Sequence, residues 1–326
     1  MTSARLSTFA FLHPIEPAQL AWFRAALPNV EWLAPTDGAL PHGLERAQAA
    51  AISWNGPPID HVLAAAHRLE WLHQRGAGID AISTPKLIAS RVVLTNGSGN
   101  HATNIAEHVL GMMLAFARQL PALVLAQQER RWQPPRVDTL FELSGQTLAV
   151  IGVGALGEAV AVRAAALGMN VVGVRRSTEP QPLPPGVATM LSSERIDIAL
   201  RDADHVVITL PLTAQTRGLF SADRLASMKR GAHLYNVGRG AIVDQASLLA
   251  SLRSGHIAGA GLDVTDPEPL PADSALWAEP NVLITAHSSG LTPRSFERYR
   301  ALLLENMQRF CRGETLLNVV DKRRGY

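Results

Sequence analysis

Three residues with complementary chemistry each follow an apolar, strand-like run in the second half of the chain: Arg239, Glu268 and His287. Because ligands collect outside the carboxyl ends of parallel strands, we expect these three side chains to converge on one crevice. A guanidinium can bind a carboxylate through two parallel hydrogen bonds, and a histidine can exchange a proton near neutral pH. A carboxylate beside that histidine stabilises its imidazolium form. With a hydride from a nicotinamide, this set is suited to reducing a 2-oxo acid to a 2-hydroxy acid.

Each of these residues alone also has a simpler interpretation. Arg239 could be a structural salt-bridge partner, and Glu268 could be an acidic residue of an exposed loop. Isolated histidines are common in this chain, and we expect His101 and His108 to be surface or interface residues. The shared position at strand ends is what favours the catalytic interpretation of the three together.

A glycine-rich turn, GVGALG, stands between a predicted strand and a predicted helix and contains Gly152, Gly154 and Gly157. The first glycine permits a tight turn, the second lets the backbone approach a pyrophosphate, and the third lets the helix pack on the strand. The first-turn N–H groups, including those of Ala155 and Leu156, would hold the phosphates. The alternative is an ordinary glycine-rich turn, but the strand–turn–helix context favours dinucleotide binding.

The next predicted strand ends at Arg175, with Arg176 and Ser177 after it. An NAD-type site would place a carboxylate there for the ribose hydroxyls, whereas two guanidinium groups and a hydroxyl suit a 2′-phosphate. The sequence therefore predicts NADPH as the preferred cofactor over NADH. The alternative is a solvated loop that has merely lost its acidic residue.

Strands and helices alternate along most of the chain, which favours an α/β protein with parallel sheets. In the first hundred residues the strand-like runs are STFAFL, AAAISW, LEWLHQ and VVLTN. In the second part, strands are predicted at 147–152, 170–174, 205–210, 233–238, 259–264 and 281–286. Between these two sets, the stretch from His101 to Arg131 is predicted to be helical and to connect two lobes.

Composition and charge exclude several classes of protein. Of 326 residues, 47% are hydrophobic, so the chain can form real cores and is not expected to be disordered. The net charge of +2 and the absence of any block of like charges argue against nucleic-acid binding. No signal peptide or membrane segment is evident, and the single cysteine, Cys311, fits a reducing compartment. We therefore expect a cytoplasmic protein, with no metal site.

Longer segments resemble the D-isomer-specific 2-hydroxyacid dehydrogenases. They are RGAGID, NIAEHVLGMML, LPLTAQTRGLF, LASMKRGAHLYNVGRGAIVD, GAGLDVTDPEPLP and NVLITAHSSG. The resemblance implies that Arg239 binds the substrate carboxylate and carbonyl, that His287 is the general acid and base, and that Glu268 is its partner. It also implies a Rossmann nucleotide-binding domain, residues 100–290, inserted in a flavodoxin-like substrate domain, residues 1–99 with 291–326. The active site would lie between the two lobes, with hinges near 98–100 and 290–291.

The resemblance implies that the backbone of Gly76, Ala77 and Gly78 contacts the substrate carboxylate and that Asp263 lies beside the nicotinamide. Further cofactor contacts are predicted at Leu210, Pro211, Val237, Gly238 and Ser289. The family's usual homodimer, formed through the nucleotide-binding lobe, is expected here too.

The ending VDKRRGY and Trp132 are similar to the glyoxylate/hydroxypyruvate reductase subgroup. Four residues depart from the family: Ala286 replaces a frequent proline, Thr265 a frequent aromatic residue, and Ser288–Ser289 an apolar–alanine pair. The expected function is NADPH-dependent reduction of glyoxylate or hydroxypyruvate by an NAD(P)-dependent 2-hydroxyacid dehydrogenase. The alternatives are a dehydrogenase for another 2-hydroxy acid and a dinucleotide-sensing protein similar to a corepressor.

Overall fold

A computed structural model describes residues 6–35, 39–176 and 182–326. The chain divides into two units: Met1–Asn100 together with Thr292–Tyr326, and His101–Leu291. The second unit is thus inserted between two segments of the first along the chain.

The first unit is built on five parallel strands with the order β2-β1-β3-β4-β5. They are β1 (Thr8–Phe11), β2 (Glu31–Leu33), β3 (Ala49–Ile52), β4 (Trp71–Gln74) and β5 (Val93–Asn96), with helices α1 (Pro17–Ala26), α2 (Ile59–Ala65) and α3 (Pro85–Ala89). This is the flavodoxin-like order. Strands β1, β3 and β4 are buried along their whole length, which is why they are continuous apolar runs in the sequence.

The second unit contains seven parallel strands with the order β12-β11-β10-β9-β6-β7-β8. They are β6 (Thr147–Ile151), β7 (Asn170–Arg175), β8 (Thr189–Ser192), β9 (His205–Ile208), β10 (Ala232–Asn236), β11 (Ile257–Leu262) and β12 (Val282–Ile284). The helices are α4 (Ala102–Ala117), α5 (Leu120–Gln128), α6 (Ala155–Ala166), α7 (Ile196–Asp202), α8 (Ala222–Ser227) and α9 (Gln245–Arg253). The strand order reverses between β6 and β9, as in a Rossmann sheet. The predicted α/β class with two parallel sheets is confirmed.

The prediction of one helical stretch from His101 to Arg131 is wrong, because the structure has two separate helices there. Helix α4 ends at Ala117, and α5 begins at Leu120 after Gln119 adopts a left-handed φ of 56°. Pro121 then lies in the first turn of α5, where its missing N–H costs nothing. Among the described residues, no single helix is long and apolar enough to cross a membrane; α4 and α5 meet that criterion only as a pair bent by 68°.

The last helix, α10 (Pro293–Arg312), belongs to the first unit. Thr292 and Ser295 form a capping box at its start, and Gly313 ends it with a left-handed φ of 69°. Its apolar face packs into the core beside β1 and β4, where the rings of Phe310 and Trp71 stack 5.7 Å apart. The C-terminal segment therefore completes the first unit.

Candidate functional site

The carboxyl edge of the seven-stranded sheet brings most of the predicted site residues into one row. In sheet order they are His287 after β12, Asp263 and Glu268 after β11, Val237 to Arg239 after β10, Leu210 and Pro211 after β9, Gly152 to Gly157 after β6, and Arg175 and Arg176 at the end of β7. Parallel strands all end on the same side, so the topology alone produces this row.

The glycine-rich turn has little room for side chains except at one position. Gly152 has a φ of 109°, and a Cβ on Gly157 would lie only 2.3 Å from the Gly152 carbonyl oxygen. At Gly154, by contrast, a Cβ would meet no atom within 4 Å. This open position lies at the start of α6, whose first N–H groups have no partner within the helix. The turn therefore fits the phosphates of a dinucleotide.

Leu210 connects this turn to the loop after β10. A Cβ on Gly152 would lie 3.0 Å from the Leu210 Cδ2, and one on Gly238 would lie 2.7 Å from the Leu210 carbonyl oxygen. Pro211 follows directly, and its carbonyl accepts a hydrogen bond of 2.7 Å from the Thr216 hydroxyl. The backbone of three neighbouring strand ends is thus packed closely enough for one extended ligand to follow it.

The two arginines lie at the far side of the row. Arg175 is half-buried, and its Nε is buried without a hydrogen-bond partner among the described residues. Arg176 comes next and is exposed. Ser177, which was also predicted to bind the cofactor, lies outside the described residues. An orphaned donor beside an exposed guanidinium fits an anionic group of the cofactor.

Arg239 is held by the loop that follows β10. The buried Asn236 amide donates to the Arg239 carbonyl at 2.9 Å and accepts from the Gly238 N–H at 3.1 Å. The Arg239 Nη1 donates to the Gly238 carbonyl at 2.8 Å. A Cβ on Gly240 would lie 1.9 Å from the Thr265 carbonyl oxygen, so only glycine lets the two loops approach this closely.

Glu268 and His287 form the central pair of the site. The Glu268 Oε2 lies 2.8 Å from the His287 Nδ1, and the Glu268 Oε1 accepts a hydrogen bond of 3.0 Å from the Thr265 N–H. The side chains are 36% and 52% exposed, respectively. A carboxylate fixed by the backbone therefore engages one ring nitrogen of an accessible imidazole and leaves Nε2 for another partner.

The turn that carries His287 is strained. Ala286 and His287 have left-handed φ values of 47° and 54°, which L-residues adopt at a cost. The buried Asp263 compensates: its carbonyl accepts the His287 N–H at 2.6 Å, and its Oδ1 accepts the N–H groups of Ser288 at 3.0 Å and Ser289 at 3.2 Å. Its Oδ2 is bonded to the Ser289 hydroxyl. Asp263 thus orders the turn that carries His287.

Two residues of this network were missed by sequence reasoning. The Thr285 hydroxyl donates to the Asp263 Oδ1 at 2.7 Å, and the His108 Nε2 lies 3.0 Å from the same hydroxyl. His108 is half-buried and engaged with the candidate site. The expectation that it is a surface or interface residue is therefore corrected.

His101 was expected to be a surface or interface residue too, and it also contacts this region. Its Nδ1 lies 2.9 Å from the Gly290 carbonyl, and the Asn104 amide donates to the Ser289 carbonyl at 2.7 Å. His101, Asn104 and His108 are spaced by three and four residues, so they occupy one helical face. That polar stripe was the signal available in the sequence.

In the first unit, the loop after β4 contains Gly76, Ala77 and Gly78. All three carbonyls accept hydrogen bonds: from the Gly97 N–H at 2.9 Å, from the Asn96 amide at 2.7 Å and from the Gln74 amide at 3.2 Å. With the carbonyls occupied, the loop is suited to offering N–H groups to an anion. The described residues contain no cluster of three or more His, Cys, Asp or Glu that could hold a metal ion.

This chain is similar to known proteins in sequence and to solved structures in fold. Residues 110–289, more than half of the chain, match the family described as "D-isomer specific 2-hydroxyacid dehydrogenase, NAD binding domain". A glyoxylate reductase of Korarchaeum cryptofilum is 31% identical over 84% of this chain and 82% of its own. A D-isomer specific 2-hydroxyacid dehydrogenase of Xanthobacter autotrophicus Py2, solved with NADPH and MES, is 34% identical, with a TM-score of 0.84 over 98% of this chain and all of that one.

Other relatives are longer. A D-3-phosphoglycerate dehydrogenase of Methanocaldococcus jannaschii is 32% identical over 80% of this chain but only 49% of its own length. The chain thus spans about half the length of the D-3-phosphoglycerate dehydrogenases that it matches. The family match, the parallel sheets and the similarity over nearly the whole chain agree, and the protein belongs to the D-isomer specific 2-hydroxyacid dehydrogenase family.

Proposed function

We propose that this protein uses NADPH to reduce a small 2-oxo acid to the 2-hydroxy acid, with glyoxylate and hydroxypyruvate as the leading candidates. The observation that carries the proposal is the 2.8 Å contact between Glu268 and His287, in the same row of strand ends as Arg239. A cation for the carboxylate and a proton donor for the carbonyl oxygen are the two groups that this reduction requires of the protein.

His287 is the general acid. Because its Nδ1 is engaged by Glu268, Nε2 is the nitrogen that donates a proton to the substrate carbonyl oxygen. When bound, the reduced nicotinamide supplies the hydride to the carbonyl carbon. Glu268 stabilises the imidazolium before the transfer and holds the ring in place during it.

Arg239 binds the substrate carboxylate through its planar guanidinium. Its anchor on the Gly238 carbonyl and the close packing of Gly240 on Thr265 fix its loop beside the segment that carries Glu268. We propose that the N–H groups of Gly76 to Gly78 bind the same carboxylate, since the carbonyls of that loop are already occupied.

The phosphates of the cofactor would be held by the turn from Gly152 to Gly157 and its 2′-phosphate by Arg175 and Arg176. The orphaned Nε of Arg175 supports this assignment. Leu210, Pro211, Val237, Gly238, Asp263 and Ser289 would line the remainder of the cofactor site. The name of the Korarchaeum relative supports glyoxylate as substrate, and the NADPH bound to the Xanthobacter relative supports the cofactor.

The test is kcat/KM for glyoxylate, hydroxypyruvate, pyruvate and 3-phosphohydroxypyruvate, each with NADPH and with NADH. We expect one of the first two acids to be the best substrate and NADPH to be preferred by about 100-fold or more, because charge-assisted hydrogen bonds to a phosphate are strong. Absence of turnover with every acid would overturn the activity.

The cofactor assignment is tested by Arg175→Asp combined with Arg176→Ala, which should abolish the preference for NADPH. Arg201→Ala, at an exposed arginine on α7, is the matched control and should preserve it. Preference for NADH in the unmodified protein would overturn the assignment, as would an unchanged preference in the double variant.

We also infer a cytoplasmic homodimer. Leu120, Val124 and Leu125 expose an apolar surface on α5, which suits contact with a second copy. The single cysteine, Cys311, fits a reducing compartment. A monomer mass by light scattering would contradict the dimer.

A further inference from the structure

We propose that His108, on helix α4, is a positioning residue for the catalytic turn and acts through the Thr285 hydroxyl and the Asp263 carboxylate. His108 and Thr285 are 177 residues apart in the chain, yet the His108 Nε2 lies 3.0 Å from the Thr285 Oγ1. That hydroxyl lies 2.7 Å from the Asp263 Oδ1. The inference rests on the proposed function, because it assigns a task in the reaction of His287.

The direction of each hydrogen bond follows from the chemistry of the groups. The N–H groups of Ser288 and Ser289 can only donate, so the Asp263 Oδ1 that receives them is an acceptor. The Thr285 hydroxyl has one proton and gives it to this oxygen. The His108 Nε2 must therefore carry a hydrogen and donate it to the Thr285 oxygen.

The hydrogen bonds from His108 through Thr285 to Asp263, here called the relay, end at the strained turn that carries His287. Within the part of the chain that the structure describes, the Asp263 side chain receives all its hydrogen bonds from residues 285–289, on either side of the left-handed Ala286 and His287. Thr285 is the first of these donors, and His108 fixes the rotation of its hydroxyl. Without the imidazole N–H, the hydroxyl can turn away and leave the carboxylate with one donor fewer.

Loss of these hydrogen bonds should misalign His287 and leave substrate binding intact. None of the three relay residues is proposed to touch the substrate carboxylate, which Arg239 binds. Removing the relay should therefore lower kcat and leave KM for the 2-oxo acid nearly unchanged, which is the signature of an interaction used mainly in the transition state.

Matched pairs of variants isolate the hydrogen bonds. Thr285→Val removes the hydroxyl at nearly constant shape, whereas Thr285→Ser keeps it. His108→Phe removes the donor, whereas His108→Gln retains an N–H at a similar reach. We expect the first member of each pair to lower kcat by about tenfold to 100-fold and the second to stay within about threefold of the unmodified protein.

A second readout needs no turnover. In the free protein labelled with 15N-histidine, the His108 Nε2 should give the NMR signal of a protonated nitrogen, assigned by its loss in His108→Gln. A bare Nε2 overturns the proposal, as does equal kcat within each pair or a loss expressed only in KM. If the unmodified protein reduces no 2-oxo acid, the proposed function fails while this NMR measurement still decides the relay. The NMR result and the His108 pair also decide it if Thr285→Val does not fold.

Discussion

The two edges of the seven-stranded sheet both carry histidines, in opposite environments. At the carboxyl edge, His287 is half-exposed, lies on a strained turn and is paired with Glu268. At the amino edge, His205 is the first residue of β9 and His233 is the second residue of the neighbouring β10, and their rings stack 5.3 Å apart. The amino-edge pair is packed among aromatic rings, including those of Phe116 and Phe141.

Burial keeps the amino-edge pair neutral. It lowers the pKa of His205 to about 3, with His233 as a second cause, and lowers the pKa of His233 to about 4. The hydrogen bonds of His205 agree with this state. Its Nε2 donates to the Gln146 Oε1 at 2.5 Å, and its Nδ1 lies 3.2 Å from the Tyr235 hydroxyl, which donates to it.

The contrast shows that partners and solvent, not residue type, decide what a histidine does. A ring with a carboxylate on one side and an accessible nitrogen on the other can hold and release a proton. A ring whose two nitrogens are both satisfied in the neutral form is part of the core, and protonating it would break a hydrogen bond.

The largest expected effect is on kcat, which should depend on the histidine at the carboxyl edge and not on those at the amino edge. His287→Asn should lower kcat by about 10²–10⁴, the usual contribution of a positioned general acid, with little change in the free energy of unfolding. His205→Asn should lower the free energy of unfolding by about 1–3 kcal/mol and leave kcat near that of the unmodified protein. Steady-state kinetics and urea unfolding of both variants check this contrast; full turnover in His287→Asn would eliminate the mechanism.

The second prediction concerns acid stability. The folded-state pKa values of His205 and His233 lie below the ordinary value of 6.5, so the unfolded chain binds more protons below pH 6.5. Their contribution to stability is complete above pH 6.5 and is lost as the pH falls to about 4 for His233 and to about 3 for His205. The loss at pH 5 should be about 2 kcal/mol for each histidine, measured by urea unfolding across this pH range.

Replacing the pair by groups that do not titrate provides the control. The double variant His205→Gln with His233→Phe should have a smaller slope of unfolding free energy against pH between pH 5 and 6. The decrease should correspond to about two fewer protons taken up on unfolding. The buried His73, whose pKa burial lowers to about 3, remains in both proteins and contributes equally. An unchanged slope would mean that the amino-edge pair is not neutral in the folded state.

The smallest expected effect concerns the strain at the carboxyl edge. Ala286→Gly should raise the free energy of unfolding by about 0.5–1 kcal/mol, since glycine adopts the left-handed φ of 47° at no steric cost. Ala250→Gly, at an exposed position within α9, should lower it by about 1 kcal/mol. Urea unfolding measures both changes; equal signs would show that position 286 is not strained.

Much of the sheet architecture could be predicted because its strands are continuous apolar runs and its glycine turn has a strand before it and a helix after it. Two edge strands could not be predicted from the sequence. Glu31–Leu33 has only three residues and is partly exposed, and Thr189–Ser192 has a polar residue at each end. Neither has an alternation long enough to indicate a strand. The break at Gln119 was also hidden, because left-handed glutamine has no signature in the sequence.

At the candidate site, strand ends pointed to Arg239, Glu268 and His287 because topology alone places the carboxyl ends of parallel strands together. His108 and Thr285 could not be paired this way, because their contact depends on how α4 packs against the sheet. The left-handed turn at Ala286 and His287 arises from the hydrogen bonds of Asp263, another tertiary effect.

Gly240 limits how the protein can change. Its backbone lies so close to the Thr265 carbonyl that one added carbon would stand 1.9 Å from that oxygen. Every other amino acid would force apart the segments that carry Arg239 and Glu268. The distance between the segments of Arg239 and Glu268 is therefore set by one glycine that no other residue can replace without moving them. Variants selected for bulkier substrate acids, in evolution or in the laboratory, must therefore keep Gly240. The room for the larger substrate has to come from substitutions at other positions.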